Sequence, residues 1–268
     1  MGEMFNQMMD EWIPEIARTY TDRLGSDGRF PDAQALLTSF NESVELWTKR
    51  RTDDDVKALT EKANELAAAL SILGAMEEGQ TLAYEPKLTN SKKSIDFLIK
   101  NANGIYLWVD VKTVAPKWVE NDAEWKRFSD IKAELPKNMH VVVEKELGGA
   151  GIGGQMLKTR WTLYSRAAEI EAKLEELTDE EKKAPLSVLF CSSGFAWHVD
   201  TLEDFADFYR NGTFRQDDWA STMVARYMDQ QKITFKRTLA GFHYLERGQF
   251  EALPKAFRIF VRGPSFLT

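Results

Sequence analysis

Residues 104–114, GIYLWVDVKTV, constrain the fold more than any other stretch of the chain. The run is rich in β-branched and aromatic residues and reads as one long strand. Alternation sends Ile105, Leu107, Val109 and Val111 to one side, and Tyr106, Trp108, Asp110 and Lys112 to the other. It would be a good buried strand but for Asp110 and Lys112. A buried charge costs on the order of several kcal/mol unless it is paired or bound to a metal. The preceding run, SIDFLIK (94–100), reads as a partner strand, joined through the turn residues NANG. On it Ile95, Phe97 and Ile99 share one face, and Asp96, Leu98 and Lys100 the other. If the aliphatic faces of the two strands coincide, Asp96, Asp110 and Lys112 gather on one surface. A strand TLAYEPKL (81–88) is expected just before them.

Upstream, amphipathic helices are predicted over 4–24 and 32–49, with a third beginning near Thr52 and stopping near Gly74. Asp53, Asp54 and Asp55 lie in its first turn, where negative charge suits the helix dipole, and read as a solvated helix start. Leu59, Leu66, Leu70 and Leu73 form its main apolar stripe. Glu65 falls on an adjacent stripe with Ala69, Ile72 and Met76. A carboxylate flanked by alanines on a packed helix needs a dedicated partner. The expected arrangement has this helix cover the Asp96–Asp110–Lys112 surface and bring Glu65 to it, with Glu61 the competing residue one turn earlier.

Carboxylates converging in a partly dry site repel one another unless something neutralises them. Mg²⁺ does this well: it takes oxygen ligands, uses one or two carboxylates, and keeps waters that can act as nucleophile. A lysine two residues beyond one ligand, on the same strand face, would orient such a water or stabilise charge on a phosphoryl group. The competing account is an ion pair between Lys112 and Asp96 or Asp110.

The order of a helix glutamate (Glu65), a strand aspartate (Asp96), a turn, and Asp110-Val111-Lys112 on an apolar strand resembles the active-site signature of the PD-(D/E)XK nuclease superfamily. NELAAALSILG, YEPKL, IDFLI and YLWVDVKT carry the resemblance, over about residues 56–114, with 155–193 as the following helix and strand. Ile95 stands where the family's motif has proline. The resemblance implies a restriction-endonuclease-like α/β core, a mixed central sheet flanked by helices. It further implies Mg²⁺-dependent hydrolysis of nucleic-acid phosphodiesters, DNA in preference to RNA, with Mn²⁺ as a substitute metal. Glu65, Asp96 and Asp110 would hold the metal and Lys112 would assist the attacking water. Gln155, Lys158 and Arg160 on the next core helix would meet substrate. A nuclease-like fold that binds nucleic acid or protein without chemistry is the alternative. Neutralising Asp110 or Lys112 is expected to leave folding intact.

The remaining chain is expected to build on that core. A single domain would comprise a helical extension (1–51), the core (52–195) with an insertion at 115–154, and a C-terminal elaboration (196–268). Within these, a helix is predicted near 123–134, strands over 140–147 and 186–191, a long helix over 155–177, and helices near 201–210 and 216–230. RIFV, near the end, reads as a strand. A homodimer is compatible with the chain, and no motif in 1–51 or 196–268 assigns those segments a role.

Composition narrows the function. The net charge of −7 argues against a protein that coats nucleic acid non-specifically, though one local basic surface is compatible with it. One cysteine, Cys191, excludes an internal disulfide and fits a reducing cytoplasm. No apolar run approaches the roughly 20 residues of a membrane helix, and the acidic start MGEMFNQMMDEW lacks a secretory pattern. Gly149, Gly151 and Gly154 form a GxGxxG, but no acidic residue follows LSVLFC to hold a ribose, so a glycine loop is the expectation. Trp125-Lys126-Arg127-Phe128 and Arg160-Trp161 mix basic and aromatic residues. His140, His198 and His243 show no metal-ligand spacing and read as structural.

Overall fold

A computed structural model describes residues 3–89, 94–114, 152–192, 199–215, 219–248 and 250–259. Three helices come first: α1 (Glu3–Leu24), α2 (Ala33–Arg50) and α3 (Asp53–Ala75). Thr52 starts α3 through a capping box, its hydroxyl accepting from the Asp55 amide while the Asp55 carboxylate accepts from Thr52 N. Asp53 and Asp54 are exposed as expected, but Asp55 is buried and also takes a hydrogen bond from Arg50 at 3.0 Å. Every residue of α3 from Ala63 to Ala69 is buried, because the helix is wedged between α1 and α2 on one side and the sheet on the other.

The sheet contains β1 (Thr81–Tyr84), β2 (Phe97–Asn101), β3 (Gly104–Val114), β4 (Leu186–Ser192), β5 (Gly241–Glu246) and β6 (Ala256–Ile259), in that spatial order. β1, β2 and β3 form an antiparallel meander, β3, β4 and β5 run parallel, and β6 closes antiparallel to β5. The long helix α4 (Ile152–Glu176) lies between β3 and β4 in sequence. The helices α5 (Val199–Asn211) and α6 (Trp219–Gln231) lie between β4 and β5. The fold is therefore mixed α/β, with a mixed sheet and helices on both faces.

Two apolar layers explain why both faces are covered. Leu107, Val109, Val111, Phe97 and Ile99 pack with α1, α2 and α3. Leu98, Trp108, Val188 and Phe190 pack with α4 and α5 on the other side. Alternation along β3 holds from Leu107 to Val114, and a bulge in the β2–β3 ladder upsets it before that. Ile105, expected beside Leu107, is consequently exposed, while Tyr106 packs toward the α1–α3 layer. The hairpin turn is as expected: Asn103 N donates to Asn101 Oδ1 at 2.9 Å, and Gly104 takes φ +117°, open to glycine.

Other expectations shift. The strand predicted over 81–88 stops at Tyr84, because Glu85 turns into the left-handed region at φ 42° and gives its amide to the Asp96 carbonyl at 2.8 Å. The strand predicted from residue 94 begins only at Phe97, so Ile95 packs with Leu98 on the α4 side instead of joining Phe97. The C-terminal segment, expected as helices and one strand, also supplies β5, a fully paired interior strand of the same sheet. The predicted helix near 123–134, strand 140–147 and glycines 149 and 151 lie outside the described residues. No helix among the described residues is long and apolar enough to cross a membrane.

Candidate active site

Asp110 pairs with Val188 of β4, one residue past the last β2 partner on the other side of β3, and it is fully buried at 0% exposure. The β2–β3 register pairs Phe97 with Val109. One step further along that register, Asp96 lies across from Asp110, in a bend just before β2. The ladder has ended there, and the Asp96 side chain takes over its role: Oδ2 accepts the Val111 N–H at 2.6 Å. Asp96 keeps a partial opening to solvent and is enclosed by protein elsewhere.

Two lysines reach Asp110. Lys112, from the same strand face, forms an ion pair at Oδ1 and donates to the Val111 carbonyl at 3.1 Å. Lys173, from α4, forms an ion pair at Oδ2 and donates to the Ser94 carbonyl at 3.2 Å. Oδ1 of Asp110 is beside Lys112 Nζ but receives no hydrogen bond of good geometry. The cluster thus balances two carboxylates against two ammonium groups.

Its electrostatics follow from crowding. Burial, then the facing charge of Asp110, push the Asp96 carboxyl up to about 7; Lys112 opposes this, and Glu65 adds a smaller push upward. Burial works against the Lys112 ammonium, but Asp110 and then Asp96 outweigh it and hold its pKa above the ordinary lysine value. Arg166 of α4 is close enough to oppose them slightly. Lys112 stays protonated, which suits a hydrogen-bond donor and not a base.

The helix glutamate is elsewhere. α3 covers the Leu107–Val109–Val111 face, opposite the one carrying Asp110 and Lys112, so the expectation that it covers the charged surface is corrected. Both apolar faces of β3 need a helix, and α4 takes the charged one. Glu65 is buried against Lys62, whose Nζ donates to both carboxylate oxygens at 3.1 and 2.8 Å, and against Tyr84, whose hydroxyl donates at 2.9 Å. Burial raises the Glu65 pKa, and Lys62 pulls it back. Glu85 completes this group, accepting from Lys62 Nζ at 3.5 Å and offering a competing acceptor for the single Tyr84 hydroxyl proton at 3.1 Å. Glu61 is half-buried one turn earlier. Asp96, Asp110 and Lys112 are brought together; Glu65 is held by its own partners. Among the described residues no group of three or more His, Cys, Asp or Glu side chains is arranged to hold a metal ion.

On α4, Arg160 donates to Asp204 at 3.4 Å, while the side chains of Gln155 and Lys158 lie outside the described residues, as do Trp125–Phe128. His243 is buried on β5 with its ring stacked on Phe257, and Cys191 is a buried thiol on β4. Lys173 is the site residue that the sequence did not announce. It follows Leu163, Ala167 and Ile170 along the buried stripe of α4, and a lysine on such a stripe was the available signal.

The chemistry of the donors fits a hard divalent cation at Asp96 and Asp110. They are oxygen ligands that repel each other, and the Asp110 oxygen beside Lys112 holds only an ion pair of poor hydrogen-bond geometry, which a cation of higher charge would replace. Compared with family models, curated proteins and solved structures, the chain finds no match in any of the three.

Proposed function

We propose that the protein is a metal-dependent nuclease that hydrolyses phosphodiester bonds in nucleic acid, with a restriction-endonuclease-like core. One observation carries the proposal: Asp96, in the bend just before β2, accepts the Val111 amide next to Asp110 and feels its charge, with Lys112 paired to Asp110 from the same strand. The order α3, β1, β2, β3, α4, β4 supports it, since the resemblance in sequence predicts a helix, three strands, a helix and a strand. Mg²⁺, or Mn²⁺ in its place, would be held by Asp96 and Asp110 and supply Lewis-acid activation of water and phosphate.

The chain's own groups have separate tasks. Asp96 is kept in place by the Val111 amide and offers its remaining oxygen to the cation. Lys112, held protonated by its carboxylate neighbours, donates to the attacking oxygen or to a non-bridging phosphate oxygen and stabilises the charge that develops there. Arg166, near Lys112 and partly exposed, adds positive potential where a phosphate would approach. Glu65 supports the site at a distance. DNA in preference to RNA rests on the family resemblance.

A binding module without chemistry has one observation in its favour, the match of two lysines to two carboxylates. Incubating the protein with single- and double-stranded DNA and RNA in Mg²⁺, Mn²⁺ or EDTA separates the two. Cleavage that needs metal and is lost in Asp96→Asn supports the nuclease. Salt-sensitive binding with no cleavage under any metal supports the module.

A further inference from the structure

We propose that Lys173 is a positioning residue that sets the geometry of the cation site, an inference that rests on the nuclease proposal. Its ammonium ties three parts of the site together. It donates to the Ser94 carbonyl at 3.2 Å, two residues before Asp96, and it forms an ion pair with Asp110 on β3. It arrives from α4, which packs on that face. Asp96 lies in a bend beyond the end of β2, so the ladder does not fix its distance from Asp110. The Lys173 bridge does so, together with the Val111 amide on Asp96.

Lys173 also divides the work between the two Asp110 oxygens. It holds Oδ2 with a hydrogen bond, whereas Lys112 stands at Oδ1 without a well-formed one, so the Lys112 contact at Oδ1 is the one a cation would replace. Partners of this kind orient a ligand carboxylate, and their loss costs roughly 10–100-fold in metal affinity.

A counter-ion without a positioning role would behave in the opposite way. Lys173 carries a positive charge next to a cation site, so by charge alone its removal would tighten cation binding. Mn²⁺ titrations of the full chain, read by the electron paramagnetic resonance of the free ion with no nucleic acid present, separate these outcomes. Lys173→Met should bind Mn²⁺ about tenfold or more weakly than wild type, and Lys173→Arg should recover most of the loss. Lys173→Gln reaches only one of the two acceptors and should also bind more weakly. It decides the matter if the Met variant does not fold. In cleavage assays kcat should fall while KM for nucleic acid stays close to wild type.

Unchanged or tighter Mn²⁺ binding by Lys173→Met or Lys173→Gln overturns the role of Lys173 and leaves the nuclease proposal standing. A wild-type protein that binds no Mn²⁺ and cuts nothing overturns both.

Discussion

The Val111 amide donates to Oδ2 of Asp96 at 2.6 Å, so a side chain completes a ladder that the β2 backbone has already left. Asp96 is thereby both a structural acceptor and, in the proposed chemistry, a cation ligand. The two roles respond differently to substitution.

Asp96→Asn keeps an acceptor for Val111 and removes a carboxylate that faces Asp110. Asp96→Ala leaves the Val111 amide unsatisfied and should cost about 1–3 kcal/mol by urea denaturation. In EDTA the Asn variant should be at least as stable as wild type at pH 8. The sign follows from the raised Asp96 pKa. The stability it contributes is present below about pH 3.8 and is lost as pH rises through about 7, so the Asn variant gains on wild type across that window. Metal-dependent cleavage should nonetheless fall by orders of magnitude. Full cleavage activity in a folded Asn variant would remove Asp96 from the site.

Asp110 is a different case. The sequence suggests that its neutralisation is tolerated, but the side chain is fully buried and paired with both Lys112 and Lys173. Asp110→Asn should therefore destabilise the protein by about 3–5 kcal/mol, since two ammonium groups lose their counter-charge. Adding Lys173→Met to Asp110→Asn should cost less than the sum of the single changes, by about 1–3 kcal/mol in a double-mutant cycle. Strict additivity would mean that the pair is not coupled in solution.

For Glu65, the contacts with Lys62 and Tyr84 favour a supporting role. Glu65→Gln should reduce cleavage less than tenfold while lowering the melting temperature, because Lys62 loses its partner in a partly buried position. A loss of several orders of magnitude in a variant with unchanged melting would instead make Glu65 a direct ligand.

His243 supplies a second pH dependence, of opposite sign to that of Asp96. Burial lowers its pKa to about 4, so its folded state favours the neutral ring. The stability it contributes is present above about pH 6.5 and is lost as pH falls through about 4. The shift corresponds to on the order of 3–4 kcal/mol as an upper bound, at 1.36 kcal/mol per pKa unit. His243→Leu should flatten the fall in melting temperature between pH 6.5 and 4. An equal fall in wild type and variant would place the titrating group elsewhere.

Local pattern alone was enough for the elements that surround the site. Thr52 and Asp55 mark the start of α3, the two-residue period marks β3 from Leu107 to Val114, and Asn101 to Gly104 mark the turn between β2 and β3. The turn alone would set Asp96 across from Val109; the bulge between Ile99 and Lys100 shifts the register by one residue and brings Asp96 across from Asp110, a shift the local pattern did not announce. Tertiary structure decided what pattern cannot encode. β5 is a short run whose partner strand β4 lies more than fifty residues earlier, a non-local pairing with no hairpin turn to announce it. The face each helix takes depends on how both apolar sides of β3 are buried at once. That choice sends α3 and Glu65 to one side, and α4 with Lys173 to the side of Asp110. An amphipathic stripe states that a helix must bury one face, and only the packed sheet determines which side receives it.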